Sequence, residues 1–201
     1  MSDKGSRRLS ENQGRILVQL ARKTIMAKMK GAVLLDNDDA LAVSLREPIF
    51  HEKRGVFVTL HCKGQLRGCI GSLGGATTIV QGAMDNAVNA AFNDFRFEPV
   101  TAAELDGIEV EVSILSEPQP LAYASVADLV SGLRPGVDGV IIKKGGASAT
   151  FLPQVWQQLP DVADFLSHLC RKAGLAADAW QQCDLEVITY QVQCFAEGKS
   201  G

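Results

Sequence analysis

Beyond Ser10 the apolar positions Ile16, Leu17, Leu20, Ala21 and Thr24 recur every three or four residues, which predicts a helix running to Gly31. Arg22, Lys23, Lys28 and Lys30 fill its other face and last turns, the pattern of a solvated helix end. Ser10 stands where an N-cap belongs, with Gln13 in the capping-box position. Farther on the texture changes. Val56 to Cys62 is rich in β-branched and apolar residues, Lys63–Gly64–Gln65 supplies a turn, and Leu66 to Ile70 returns as the second arm of a hairpin. Helical spacing resumes with Ile79, Val80, Ala83, Met84, Ala87, Val88 and Ala91, capped by Thr77 or Thr78 and stopped before Pro99.

Residues 107–115, GIEVEVSIL, alternate strictly: Ile108, Val110, Val112 and Ile114 on one face, Glu109, Glu111 and Ser113 on the other. The SEPQP segment at 116–120 is a rigid break and the expected boundary between two unequal lobes. A short helix capped by Ser125, a hairpin turning at Gly145–Gly146, and a helix from Val162 to Ala173 follow. Residues 185–195, LEVITYQVQCF, read as one closing strand. Strands arranged in hairpins, not in βαβ alternation, indicate an α+β fold with a mainly antiparallel sheet. Residues 1–9 are expected to be a disordered arm, 10–195 a single domain, and 196–201 a tail.

The chain has 201 residues, 46% hydrophobic and 21% charged, enough for a sizeable core. A net charge of −3 gives no general attraction to nucleic acid or anionic lipid; a nucleic-acid role would need a local patch such as Arg7, Arg8 and the first helix. No apolar run has the length of a signal or a membrane span, so a cytoplasmic location is expected and no membrane contact. Five cysteines, with no C-x-x-C or H-x-x-x-H spacing, read as reduced thiols without a zinc site. The DNDD run at 36–39 lacks the spaced ligands of a calcium loop and reads as a turn. Nothing in the sequence indicates a cofactor or a metal.

The chemistry concentrates in QLRGCIGSLGG, residues 65–75. It lacks the lysine of a phosphate-binding loop, so its glycines are read as serving positive φ and close backbone approach. Residues two apart in a strand share a face, which pairs Arg67 with Cys69 and Leu66 with Ile70. A guanidinium beside a thiol favours thiolate, making Cys69 a candidate nucleophile; the other reading is a packed strand thiol. His61 in the facing strand is a candidate base or second cation. In NDFRFEPV, residues 93–100, Asp94, Arg96 and Phe97 form either a helix stop or the wall of the same pocket, facing Glu109 or Glu111. Two arginines beside a thiol would suit a small anionic ligand.

LRGCIGSL, NAVNAAFNDFRFEPV, ELDGIEVEVSIL, GVDGVIIKKGGASATFLPQVW and FLSHLCRKAGL occur in this order. Together they resemble the AMMECR family, whose prokaryotic members are called AmmeMemoRadiSam system protein A. The resemblance spans about Ser10 to Phe195. It implies a barrel-like sheet with two unequal lobes, and site residues at Arg67, Gly68, Cys69, Ile70 and Gly71 and at Asp94, Arg96, Phe97 and Pro99. It also implies partnership with a Memo-like protein and a radical SAM protein. It implies no reaction, so an enzyme, a substrate carrier and a non-catalytic adapter all stand open.

Overall fold

A computed structural model describes residues 8–31 and 40–198. The DNDD run and the first seven residues lie outside the described residues. The chain divides into two compact units, one of residues 8–115 with 193–198, the other of residues 116–192.

The first unit holds α1 (Glu11–Lys30), α2 (Ala40–Ser44), β1 (Val56–Cys62), β2 (Gln65–Ser72), α3 (Ile79–Phe92) and β3 (Ile108–Leu115). Its four-stranded sheet has the order β2-β1-β3-β8, where β8 is Val192–Ala196. The capping box at Ser10 and Gln13 forms, and Gly31 closes α1 in the left-handed conformation. Thr78 is the cap of α3. Val56, Val58 and Leu60 of β1 and Val110, Val112 and Ile114 of β3 turn to one side and bury against α1 and α3. Each such side chain contributes about 1.5–3 kcal/mol. Ala83, Ala87, Ala90 and Ala91 let α3 lie close, and Gly68 lets it lie closer. A Cβ at Gly68 would sit 2.2 Å from the Ala90 carbonyl oxygen. The motif glycines serve this close approach and not a positive φ, which the hairpin instead places at Lys63 and Gly64.

The second unit holds β4 (Gln119–Pro120), α4 (Val126–Gly132), β5 (Gly139–Lys144), β6 (Ala147–Phe151), α5 (Val162–Lys172) and β7 (Glu186–Tyr190). Its sheet order is β4-β7-β5-β6. Trp156 stacks on Phe165 with ring centroids 3.6 Å apart at the centre of a separate core.

Four expectations are corrected. The sheets are two open four-stranded sheets, not a barrel, because the terminal strands of each do not pair with one another. The closing strand is two strands, interrupted at Gln191, with β7 in the second sheet and β8 in the first. Leu9 belongs to the fold and not to an arm: it is buried, and its N–H and C=O both bond the Gln193 side chain. Ala196 and Glu197 likewise belong to the fold, Ala196 in β8 and Glu197 bonding Arg22 and the Val110 N–H.

Candidate functional site around Cys69

The strand register sets the outer face of the first sheet. Thr59 stands opposite Cys69 on β2 and opposite Glu111 on β3, so thiol, hydroxyl and carboxylate form one row across three strands. The Thr59 hydroxyl donates to Cys69 Sγ at 3.4 Å. In the next row His61 faces Glu109. His61, Gly64, Glu109, Glu111 and Ala196 line a cavity of about 210 Å³. The cross-strand partner of Cys69 is therefore Thr59, and among the described residues no hydrogen bond joins it to His61.

Between Leu60 and His61 the ladder carries a bulge: Leu60 pairs with Gly68 and His61 with Leu66, leaving Arg67 unpaired across the strands. The extra residue moves Leu66 to the outer side, where it is 43% exposed. Leu66 therefore does not share the buried side with Ile70, as strict alternation had it.

Asp94, Arg96 and Phe97 lie on the far side of β2 from Glu111. β2 is an edge strand, and the main-chain N–H and C=O of Cys69 point away from β1. The N–H donates to Asp94 Oδ2 at 2.9 Å, and Arg96 Nη2 donates to the Cys69 carbonyl at 3.0 Å. Arg96 closes the ring onto Asp94 through Nε at 2.9 Å and Nη2 at 2.6 Å. Asp94 is buried, and the hydrogen bond from Arg96 holds its carboxyl far below the usual range against the opposing effect of burial, with the Cys69 N–H adding to the shift. These side chains occupy the place of a further strand and hold the Cys69 backbone from both ends.

Arg67 is also engaged. Its Nε and Nη2 donate to the two Glu104 carboxylate oxygens at 2.9 and 3.2 Å, and Glu104 Oε2 also accepts from the Thr101 N–H and hydroxyl. The Arg67 bond, then those from Thr101, bring Glu104 down to about 2. Arg67 Nη1 is buried without a hydrogen-bond partner among the described residues. Phe97 lies against both guanidinium groups, 6.0 Å from that of Arg67 and 5.5 Å from that of Arg96. The expected single pocket is thus two groups: Cys69, Thr59, His61, Glu109 and Glu111 on the outer face, and the arginine–carboxylate clamps along the β2 edge.

Sequence reading missed Thr59 and Glu104. Period two on β1 places Thr59 on the His61 face, and the T-x-x-E spacing of Thr101 and Glu104 is a capping-box signal. Among the described residues no group of three or more His, Cys, Asp and Glu side chains converges to hold a metal, and no helix is long and apolar enough to cross a membrane.

Residues 18–195, which carry both clamps and the thiol, match the AMMECR1 family. The chain belongs to that family. A Methanothermobacter thermautotrophicus protein is 42% identical over 190 residues, covering 94% of this chain and 96% of the relative. One from Methanosarcina acetivorans is 43% identical over 190 residues, covering 94% of each. The crystal structure of an uncharacterised protein, PH0010, from Pyrococcus horikoshii superposes with a TM-score of 0.79 at 33% identity, covering 94% of both chains. AMMECR1 membership thus extends over both units of this chain, and none of these names states an activity.

Proposed function

We propose that this AMMECR1-family chain is a cytosolic thiol-site protein, an enzyme or a substrate-handling component, in which Cys69 is the nucleophile or carrier. The observation that carries this reading is the placement of Cys69. Its backbone is fixed at both ends by Asp94 and Arg96, while its half-buried side chain faces Thr59 on a polar surface. A covalent step there forms one bond from Sγ to an electrophilic carbon and breaks that carbon's bond to its leaving group, which departs with the thiol proton. Arg67 and Arg96 are positioning residues in this reading, since each is already bidentate to a carboxylate. His61, Glu109 and Glu111 supply the polar surroundings of the incoming group. The Memo-like and radical SAM partners are those the motif resemblance implies, and they would supply or receive the carried group.

Alkylation by iodoacetamide tests the reading, with the exposed Cys183 and Cys194 as internal standards. Cys69 is expected to react at neutral pH faster than either. A Cys69 that stays unmodified while both standards are consumed would sink the thiol role.

One observation favours an adapter instead. Phe95, at the tip of the DFRF turn, is 95% exposed, unusual for a large aromatic and typical of a contact anchor. Capture of a Memo-like or radical SAM protein that survives Cys69→Ser but fails with Phe95→Ser supports the adapter. The reverse pattern supports the thiol.

A further inference from the structure

Thr59 and Cys69 meet because of how β1 and β2 pair. The Cys69 N–H and C=O are turned away from β1, toward Asp94 and Arg96, so Thr59 and Cys69 form a non-hydrogen-bonded pair. That kind of pair brings side chains closest across an antiparallel ladder. A threonine hydroxyl carries one hydrogen. Here it is given to Cys69 Sγ at 3.4 Å and not to Glu111 on the other neighbouring strand.

The direction of that bond matters. A neutral thiol is a weak acceptor, whereas a hydrogen bond from a hydroxyl to a sulfur anion is charge-assisted and favours the anion. The exposed Cys183 has the opposite kind of contact: its Sγ reaches the Gln181 carbonyl at 3.9 Å, which offers no donor to a sulfur anion.

We propose that Thr59 is a positioning residue for the Cys69 nucleophile, its hydroxyl holding and stabilising the sulfur anion that attacks. The role rests on Cys69 being the reactive thiol proposed above. On ionisation the S–H bond breaks, the proton passes to water, and the electron pair left on Sγ takes up the Thr59 hydrogen bond. The charged groups around the pair are Glu111 in the same row, His61 and Glu109 in the next, Arg67 on β2, and Asp94 with Arg96 at the Cys69 backbone. All of them remain when the Thr59 hydroxyl alone is removed, so the difference between parent and variant reads that one bond.

The test is the rate of Cys69 alkylation by iodoacetamide in the full chain from about pH 6 to about pH 10, read by peptide mass spectrometry with Cys183 as the standard. In each event the bond from Sγ to carbon forms, the carbon–iodine bond breaks and iodide leaves. Thr59→Val keeps the β-branched shape that suits a strand and removes the hydroxyl. It is expected to slow Cys69 about tenfold at neutral pH, the lower end of what a hydrogen bond to a charged group contributes. The two rates should come together at about pH 10, where thiols ionise without help. Thr59→Ser, which restores the hydroxyl, should return the parent profile. A reactive Cys69 with the same profile in parent and Thr59→Val overturns the inference and leaves the thiol reading standing. Equal slowing at every pH, or a Thr59→Ser as slow as Thr59→Val, also overturns it, because either would show packing and not the donor at work. A parent Cys69 that stays unmodified while Cys183 is consumed overturns the thiol reading and this role together.

Discussion

Two aspartate–arginine pairs, one in each unit, use the same chemistry for different ends. Asp94 with Arg96 and Asp138 with Arg134 both bury the carboxylate and leave the guanidinium largely in water, and both pairs are bidentate. Asp138 spends its carboxylate within its own loop, on the Arg134 N–H and side chain, and only its backbone carbonyl reaches out, to the Trp156 indole. Asp94 spends one oxygen on a strand 25 residues earlier, at Cys69. A buried ion pair by itself is therefore no sign of a site. What distinguishes Asp94 is whose backbone it holds.

The largest expected effect breaks the two pairs one at a time. Asp94→Ala leaves the Cys69 N–H without its acceptor and should lose about 1–3 kcal/mol in urea unfolding, with a changed alkylation rate at Cys69. Asp138→Ala should lose about 1–3 kcal/mol, because Arg134 turns to water, and should leave Cys69 alkylation as it was. Equal effects on Cys69 from both variants would erase the distinction.

A smaller effect is the acid limb of stability. The carboxyls of Asp94 and Glu104, whose ordinary values are 3.8 and 4.5, are both depressed in the fold. Their contribution is complete above those ordinary values and declines as pH falls through the folded ones, so the loss should run from about pH 5 down to about pH 2. Unfolding midpoints measured across that range should fall less steeply in Asp94→Ala and in Glu104→Gln than in the parent. Parallel profiles would show that the clamps do not set the acid limb.

The smallest expected effect is at Leu66. Strict alternation buries it, the bulge exposes it, and Leu66→Thr should change stability by no more than about 0.5 kcal/mol. A loss of several kcal/mol, as for a core leucine, would put it back on the buried side.

The same residue shows where sequence reading reaches its limit. Caps at Ser10, Thr78 and Ser125 and the Lys63–Gly64 turn are legible because their partners lie within three or four positions. The bulge at Leu60 and His61 is not, since it is a relation between two strands and shifts everything beyond it. Cys69, Arg67, Asp94 and Arg96 could be singled out by type and spacing. That the arginines answer carboxylates, and that Glu104 lies 37 residues from Arg67, are facts of tertiary contact. The break at Gln191 was equally hidden, because period two runs through it while the chain changes sheets.

Gly68 faces the backbone of α3, not a side chain. An obstacle made of side-chain atoms can be trimmed by a second substitution, so a clash of that kind leaves evolution a two-step route. A carbonyl oxygen is carried by every residue that could stand at position 90, and no exchange there makes room. The glycine inside R-G-C-I-G is in this sense irreplaceable without moving the helix, and the helix carries Asn93 and Asp94 at its end. A change at Gly68 would therefore reach the thiol twice, through the strand beneath it and through the clamp that follows α3.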